Sequence, residues 1–194
     1  MAALATSAPA FDREPSDSDR PRSAAETLSR ARHSADTVAR LRSALHSPNP
    51  AIRAATMFEM IHSENALLIA VAINEGHASD DSVLRDLSAR AAFGELAMFT
   101  IQPIAPSDFN SARLGSVIFG SAGLNGEIQK YVLESGQFVL QDGSGGLSSQ
   151  QLVFHTRLCY GQLNAVPGTW SYQGVATCTN GGNSASGNVT VQIR

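Results

Sequence analysis

The residues that could bind a metal are the five histidines and the carboxylates near them in the sequence. Only Glu59 and His62 have the order carboxylate-x-x-His, an i, i+3 spacing that puts both side chains on one face of a helix. Dimetal sites in helical bundles use two such carboxylate-x-x-His pairs, and the sequence contains no second pair. We therefore predict no metal site and interpret Glu59 and His62 as part of a solvated helix face.

A nucleophilic serine could lie in the glycine-rich segment Asp142-Gly143-Ser144-Gly145-Gly146. Such a nucleophile needs a neighbouring base and hydrogen-bond donors that stabilise the developing oxyanion. No set of this kind can be assembled in the sequence, and the glycines favour a hairpin turn. The sequence therefore predicts a protein that is not an enzyme and has no catalytic residue and no cofactor.

Two pairs of side chains could contact a ligand. Trp170 and Tyr172 alternate along a predicted strand, so they share one face, and aromatic rings beside small residues can form a platform for a sugar. His155 and Arg157 alternate on the polar face of another predicted strand, where they could bind an anion. The face opposite Trp170 and Tyr172 is polar, and a sheet with one apolar face turns it inward. Core packing is therefore the preferred interpretation of these two rings.

The two cysteines, Cys159 and Cys178, could form a disulfide. In the predicted strands, Cys178 shares a face with Tyr172, whereas Cys159 lies on the face opposite Tyr160. If both aromatic faces point inward, the two sulfur atoms point apart and can pair only through a bulge or a different strand pairing. The glycine-rich segments near them permit a bulge, so the sequence leaves the disulfide open.

Composition and charge restrict the partners. The chain has 14 basic and 17 acidic residues and a formal net charge of −3, so we expect no nucleic-acid partner. The longest apolar run, residues 66–73, is far shorter than the about 20 residues of a membrane-spanning helix. Residues 1–12 lack the basic and apolar regions of a classical secretory signal. We expect no membrane span and either a cytoplasmic location or non-classical export.

The composition changes along the chain and predicts four segments. Residues 1–22 carry few large apolar groups and are predicted to be a disordered tail. Residues 23–100 are rich in Ala, Leu and Arg and are predicted to form a helical domain. Residues 101–113 include two prolines and are predicted to be a linker. Residues 114–194, which are rich in Gly, Ser, Thr and Asn, are predicted to form an all-β domain.

Four helices are predicted from apolar spacing and capping residues. The first covers residues 23–46 with one apolar stripe. The second begins at the cap Asn49 and at Pro50 and runs to Ile61. The third is predicted to begin after Ser63 and to stop at Gly76, and Asp80 or Asp81 caps the fourth.

A pattern recurs within this helical half. Residues 47–55 read Ser-Pro-Asn-Pro-Ala-Ile-Arg-Ala-Ala, and residues 79–87, thirty-two positions later, read Ser-Asp-Asp-Ser-Val-Leu-Arg-Asp-Leu. This resembles the turn and second-helix opening of HEAT repeats over residues 36–97. Asp86 and Ser88 depart from that family by replacing small apolar residues. The resemblance implies a helical surface that binds protein partners, and a plain four-helix bundle is the alternative.

The second half predicts short strands separated by turns rich in Gly and Asn. The predicted strands are 115–120, 126–133, 137–141, 150–160, 169–178 and 188–193. Residues 134–137 and 180–183 are predicted as hairpin connections. The expected fold class is α+β, with N-terminal helices followed by an antiparallel β-sandwich or small barrel.

These observations favour a non-enzymatic function. We expect an interaction or structural assembly protein that uses its helical and β surfaces to bind a protein partner or to self-associate as a homo-oligomer. The alternative is a ligand- or glycan-binding β-barrel module with Trp170 and Tyr172 at its site.

Overall fold

The computed structural model describes residues 23–105, 109–120 and 123–193. The tail predicted over residues 1–22 lies outside the described residues. The chain forms helices and strands in the order α1 (Ala24–Leu45), α2 (Pro50–Ile61), α3 (Ala66–Ala78), α4 (Ser82–Gly94), β1 (Met98–Pro103), α5 (Ala112–Phe119), β2 (Leu124–Val132), β3 (Gln137–Leu140), β4 (Gly143–Leu147), β5 (Gln151–Thr156), β6 (Cys159–Ala165), β7 (Ser171–Asn180) and β8 (Asn183–Gln192). None of the described helices is long and apolar enough to cross a membrane.

Capping residues define where the helices begin. Asn49 caps α2 as predicted, and Asp81, one of the two predicted candidates, caps α4. Each accepts a hydrogen bond from the backbone N–H two residues later. α3 begins later than predicted, because Asn65 rather than Ser63 is its cap. It also continues through Gly76 to Ala78 instead of stopping at the glycine. Gly76 is buried, and a Cβ atom at this position would overlap Met57 and Ser88, so close packing accounts for the glycine.

The chain divides into two compact units, Met1–Arg40 and Leu41–Arg194. In the first unit, the described part of α1 is largely exposed, and Leu28 of its predicted apolar stripe is 59% exposed. The second unit contains the end of α1, the other helices and all eight strands.

The eight strands form a closed antiparallel barrel in chain order. β1 completes the ring by pairing with both β2 and β8. The prediction of helices followed by antiparallel β structure is confirmed, and of the two predicted architectures the chain forms the barrel rather than the sandwich. The predicted turn at 180–183 joins β7 to β8, and Gly181 and Gly182 supply the two positive φ angles of a type I′ turn.

Three segments differ from the prediction. Residues 98–103 form β1, so the predicted linker over 101–113 begins in a strand and ends in α5. Residues 115–120 were expected to be a strand because of their β-branched apolar run, but residues 112–119 are helical. The glycine-rich segment 143–147, expected to be a turn, is strand β4, paired with β3 and β5.

The barrel interior is filled by alternating large and small residues. Phe138 on β3 pairs with Gly145 on β4, and Phe154 on β5 pairs with Gly161 on β6. Each phenylalanine ring covers the glycine beside it, where a Cβ atom would overlap the ring. These rings are fully buried together with Leu152, Leu163, Val189 and Val191. The barrel is therefore a packed core, as in other small barrels.

Each end of the barrel is covered by aromatic rings from another segment. At one end, Phe109 packs over Gly187 and against Phe119 of α5. At the other end, Phe93 of α4 is fully buried against Phe99 and Phe138, with ring centroids 5.6 and 4.9 Å away. The Phe93 ring thus joins α4 and the barrel in one core.

Polar contacts of α4 add to the apolar packing between this helix and the barrel. The Asp86 carboxylate accepts a hydrogen bond from Ser149 N–H at 2.8 Å and forms an ion pair with Arg90. Arg90 also donates to the carbonyl oxygen of Glu134, and its own carbonyl accepts from the Tyr131 hydroxyl at 2.9 Å. Ser149 and Glu134 lie in the β4–β5 and β2–β3 loops, so α4 contacts alternate loops at one end of the barrel.

Candidate functional site

Two surfaces of the second unit have features of a binding site. The first is the outward-facing side of strands β3–β8, which we call the outer face. The second is a cleft between the α3–α4 turn and the β6–β7 loop, which we call the Trp170 cleft.

The outer face carries no Lys, Arg, Asp or Glu at any strand position. Its outward residues are Gln137, Val139, Ser144, Gly146, Gln151, Val153, His155, Tyr160, Gln162, Asn164, Ser171, Gln173, Val175, Thr177, Thr179, Ser184, Ser186, Asn188, Thr190 and Gln192. Asp142 and Arg157 are the only such charged residues between positions 137 and 193, and both lie in hairpin turns. Surfaces of soluble domains usually interleave charges of both signs.

Apolar side chains protrude from this uncharged face. Val139, Tyr160 and Val175 are 47%, 48% and 53% exposed. The strand register places Val139 and Tyr160 in one row of paired residues, and Val175 in the adjacent row with Val153. Depletion of charged residues and enrichment in Tyr are typical of the centre of a protein–protein interface.

A groove of about 600 Å³ crosses the outer face along β4. It exists because Ser144 and Gly146, the outward residues of β4, have small or no side chains, while Val139 and Val153 on the neighbouring strands are longer. A Cβ atom added at Gly146 would meet nothing within 4 Å. The outer face therefore has both a depression and, on β6, a protruding aromatic ring.

His155 and Arg157, predicted to share a strand face, occupy different structural positions. His155 is exposed on the outer face, where it pairs in register with Tyr160 and borders the groove. Arg157 lies in the turn between β5 and β6, because the chain reverses at residues 157–158. The predicted strand over 150–160 is therefore two strands joined by a tight turn, and the anion site predicted from both residues is not formed by one strand face.

The turn at 157–158 also resolves the question of the cysteines. It shifts the inward-facing register, so Cys159 is buried and Tyr160 is exposed, opposite to the expected arrangement. Cys159 pairs in register with Cys178 on β7, and the two form a disulfide inside the barrel.

The Trp170 cleft has a volume of about 660 Å³. Its walls come from the end of α3, from α4 and from the β4–β5 and β6–β7 loops. The residues that line it include His77, Ser79, Asp80, Arg85, Ala89, Ser149, Gln150, Thr169, Trp170, Tyr172 and Ile193. This size is within the range of small-molecule sites.

Trp170 and Tyr172 both border the cleft but in different ways. Tyr172 is a core residue, as predicted, and its hydroxyl donates to the Ser148 carbonyl at 2.7 Å. Burial raises the pKa of its hydroxyl above the ordinary value. Trp170 precedes β7 and is half-buried, and its ring stacks on His77 with centroids 3.9 Å apart. The interpretation of Trp170 as a core residue was therefore only partly right.

His77 was not identified from the sequence as a site residue. It lies near the end of α3, where burial lowers its pKa below the ordinary value of 6.5 and so favours the neutral imidazole at pH 7. A neutral ring can stack on Trp170 without bringing a charge into the cleft.

The recurring sequence pattern forms the same turn twice. In the first turn, Arg53 donates from Nη1 to the Ser47 carbonyl at 2.8 Å. In the second, Arg85 donates from Nη1 to the Ser79 carbonyl at 2.9 Å. Arg53 also binds Asp81, which holds the pKa of that carboxyl below its usual value. The recurrence could therefore have pointed to Arg85 as a functional residue.

The remaining chemical candidates do not form a site. Glu59 and His62 are both exposed, and His62 stacks on Phe58. Within the ranges that the structure describes, no three His, Cys, Asp or Glu residues are grouped so as to hold a metal ion.

No known family matches this chain, and neither does any curated protein or solved structure.

Proposed function

We propose that this protein is a non-enzymatic assembly protein that self-associates through the outer face of its barrel. The observation that carries the proposal is the absence of Lys, Arg, Asp and Glu from every outward strand position of β3–β8, together with the exposure of Val139, Tyr160 and Val175. Burying such a face against a partner removes apolar area from water and desolvates no charged side chain of β3–β8. Of the residues that line the groove, Lys130 on β2 is charged, and its long exposed side chain can keep the ammonium group in water.

A second copy of the chain is the favoured partner because the outer face is complementary to itself. It carries a groove along β4 and, two strands away on β6, the protruding ring of Tyr160. In a twofold dimer, the ring from each copy can enter the groove of the other. A stable interface of this kind buries about 800 Å² per partner.

Light scattering coupled to size-exclusion chromatography tests this proposal on the full chain. We expect an oligomer that Tyr160→Glu and Gly146→Glu each convert to a monomer, because each places a carboxylate at the centre of the interface. Ala55→Glu on the exposed side of α2 is the matched control and should leave the oligomer intact. A monomeric wild type, or equal masses for all variants, would reject self-association through this face.

The second candidate function is ligand or glycan binding at the Trp170 cleft. It is supported by the volume of the cleft and by the positions of Trp170 and Tyr172 along it. The barrel interior is a less suitable ligand site, since the phenylalanine rings over Gly145 and Gly161 fill it. Saturable change of Trp170 emission on titration with a ligand would test this function independently of oligomer mass.

A further inference from the structure

The two repeated turns differ in what their arginines bind. The guanidinium of Arg53 uses Nη1 for its own turn, while Nε and Nη2 contact Asp81 Oδ2 at 3.0 and 2.6 Å. Arg85 uses Nη1 in the same way, but among the described residues its Nε and Nη2 have no acceptor and no acidic partner. The second turn therefore repeats the geometry that binds a carboxylate without supplying the carboxylate.

Arg85 lines the Trp170 cleft, where an external ligand could supply that group. Carboxylates are the natural partners of the Nε–Nη2 edge of arginine, because both N–H groups can donate in parallel. The apolar part of such a ligand could pack beside Trp170 and Ala89, while Ser149, Gln150 and Thr169 offer hydrogen bonds.

The charge balance of the cleft limits the ligand further. Asp80 also lines it and has no ion-pair partner in the part of the chain that the structure describes. A ligand with several negative charges, such as a phosphate monoester, would therefore be repelled by Asp80 while it binds Arg85. A single carboxylate on a compact neutral body suits both side chains better.

We propose that the Trp170 cleft binds a small organic monocarboxylate, held at its carboxylate by Arg85 and at its body by Trp170. The proposal deepens the second candidate function, on which it rests, by naming the chemistry of the ligand. The carboxylate could come from a free small acid or from an acidic side chain of a protein, and the test separates these sources.

Trp170 is the only tryptophan of the chain, so its emission reports on the cleft in the intact protein. Two transparent acids, cyclohexanecarboxylate and glucuronate, are titrated beside their uncharged counterparts, cyclohexanecarboxamide and glucose. The amide of N-acetyl-aspartate represents an acidic side chain in a protein, and inorganic phosphate represents a multiply charged anion.

We expect a saturable change of emission with at least one acid and an affinity at least about tenfold lower for its uncharged counterpart, which cannot form the charge-assisted pair with Arg85. Arg85→Gln should weaken acid binding by at least about the same factor. Arg85→Lys, which keeps the charge but loses the parallel donors, should lie between. Arg40→Gln, an exposed arginine on α1, is the matched control and should bind as the wild type does.

The possible results distinguish the carboxylate proposal from ligand binding at the Trp170 cleft in general. Tighter binding of the N-acetyl-aspartate amide than of either free acid would support the carboxylate and assign it to a protein side chain. Equal binding of glucose and glucuronate, unaffected by Arg85→Gln, would overturn the carboxylate proposal and leave ligand binding at the cleft in place. Tightest binding of phosphate would also overturn it. No response to any probe would overturn both.

Discussion

The ring of Phe138 lies directly over Gly145, its paired residue on β4, where a Cβ atom would overlap the ring and the Val153 carbonyl. This contact shows why β4 consists of small residues. Its inward Gly145 makes room for the Phe138 ring of β3, while its outward Ser144 and Gly146 leave the groove of the outer face open. One short strand thus determines both the packing of the core and the shape of the proposed interface.

Gly145→Ala is expected to lower the free energy of unfolding by about 1–3 kcal/mol, because the added methyl group forces the ring of Phe138 or the backbone of β5 to move. The adjacent Gly146 provides a matched control, since a Cβ atom at that position meets open space. Gly146→Ala should change the free energy of unfolding by no more than about 0.5 kcal/mol. Urea denaturation of both variants checks this contrast, and equal effects at the two positions would contradict the packing described for β4.

The coarse fold could be predicted from the sequence, because helix caps and hairpin turns leave local signals. Asn49, Asp81 and the Gly181–Gly182 turn were all identifiable from their own neighbours. β4 could not be identified, since a strand made of Gly and Ser shows no alternation of apolar and polar residues. α5 was wrongly predicted as a strand because short β-branched runs favour strands, whereas the contact of Phe119 with Phe109 joins residues that the local sequence pattern does not relate.

Asp81 should make stability depend on pH below about pH 4, near the ordinary pKa of an aspartate. Its pKa is lowered mainly by the hydrogen bond from Arg53, so the unfolded chain binds the proton more readily than the folded chain does. The resulting stabilisation is present above the unfolded pKa and is lost as the pH falls through the folded pKa. The free energy of unfolding of Asp81→Asn, a variant that can still cap α4, should therefore fall furthest below that of the wild type at neutral pH.

Urea titrations at several pH values compare Asp81→Asn with Asp80→Asn, which removes a neighbouring carboxylate that has no ion pair in the described ranges. Parallel pH profiles for the wild type and Asp81→Asn would show that the contact with Arg53 adds nothing to stability.

Reduction of the Cys159–Cys178 disulfide should lower the free energy of unfolding by about 3 kcal/mol, the value expected for a loop of this order of length. The two cysteines are 19 residues apart and bridge β6 and β7. Denaturation with and without a reductant measures the effect, and a thiol assay on the unfolded, unreduced protein should find no free cysteine. The double variant Cys159→Ala/Cys178→Ala should not respond to the reductant, and a response there would assign the effect to another cause.

The candidate sites were harder to predict than the fold, because each depends on residues far apart in the sequence. Alternation correctly placed Tyr172 inside, but it was extended to Trp170, which precedes the strand and stacks on His77 of α3. The predicted outward orientation of Cys159 was wrong because Arg157 and Leu158, which look like strand residues, form the turn between β5 and β6. Of the candidate site residues, only Arg85 could have been identified from its local sequence, because its turn repeats that of Arg53.

Protonation of His77 should change the emission of Trp170, because the two rings are stacked. Burial lowers the pKa of His77, so we expect a titration midpoint below 6.5. Because the fold favours the neutral imidazole, acid should destabilise the folded protein through His77. The stabilisation by the neutral form is fully present above the unfolded pKa and is lost as the pH falls through the folded pKa. Fluorescence titration of the wild type and of His77→Gln tests this, with the exposed His62→Gln as control. A midpoint at or above 6.5 would contradict the burial of this imidazole.

The α2–α4 helices and the barrel should unfold together. Phe93 is fully buried between α4 and the barrel, within 6 Å of the ring centroids of Phe99, Tyr131 and Phe138. Phe93→Ala should therefore cost about 3–5 kcal/mol, the usual range for a buried phenylalanine, and should destabilise helices and strands equally. The predicted domain boundary near residues 101–113 gives the opposite expectation, because independent domains would each keep their own transition.

Far-ultraviolet circular dichroism follows the helices during urea denaturation. Hydrogen exchange of the β5 and β6 backbone amides follows the barrel, since the emission of Trp170 also depends on its contact with His77 of α3. We expect the two transitions to coincide in the wild type and to shift together in Phe93→Ala. Phe58→Ala on the exposed side of α2 is the matched control and should shift them much less, since that ring is 43% exposed. Because the contacts of Phe93, Asp86 and Arg90 all cross from α4 to the barrel, separate transitions would mean that these contacts are too weak to couple the two halves. The α2–α4 helices and the barrel would then be independent folding units with a docked surface between them.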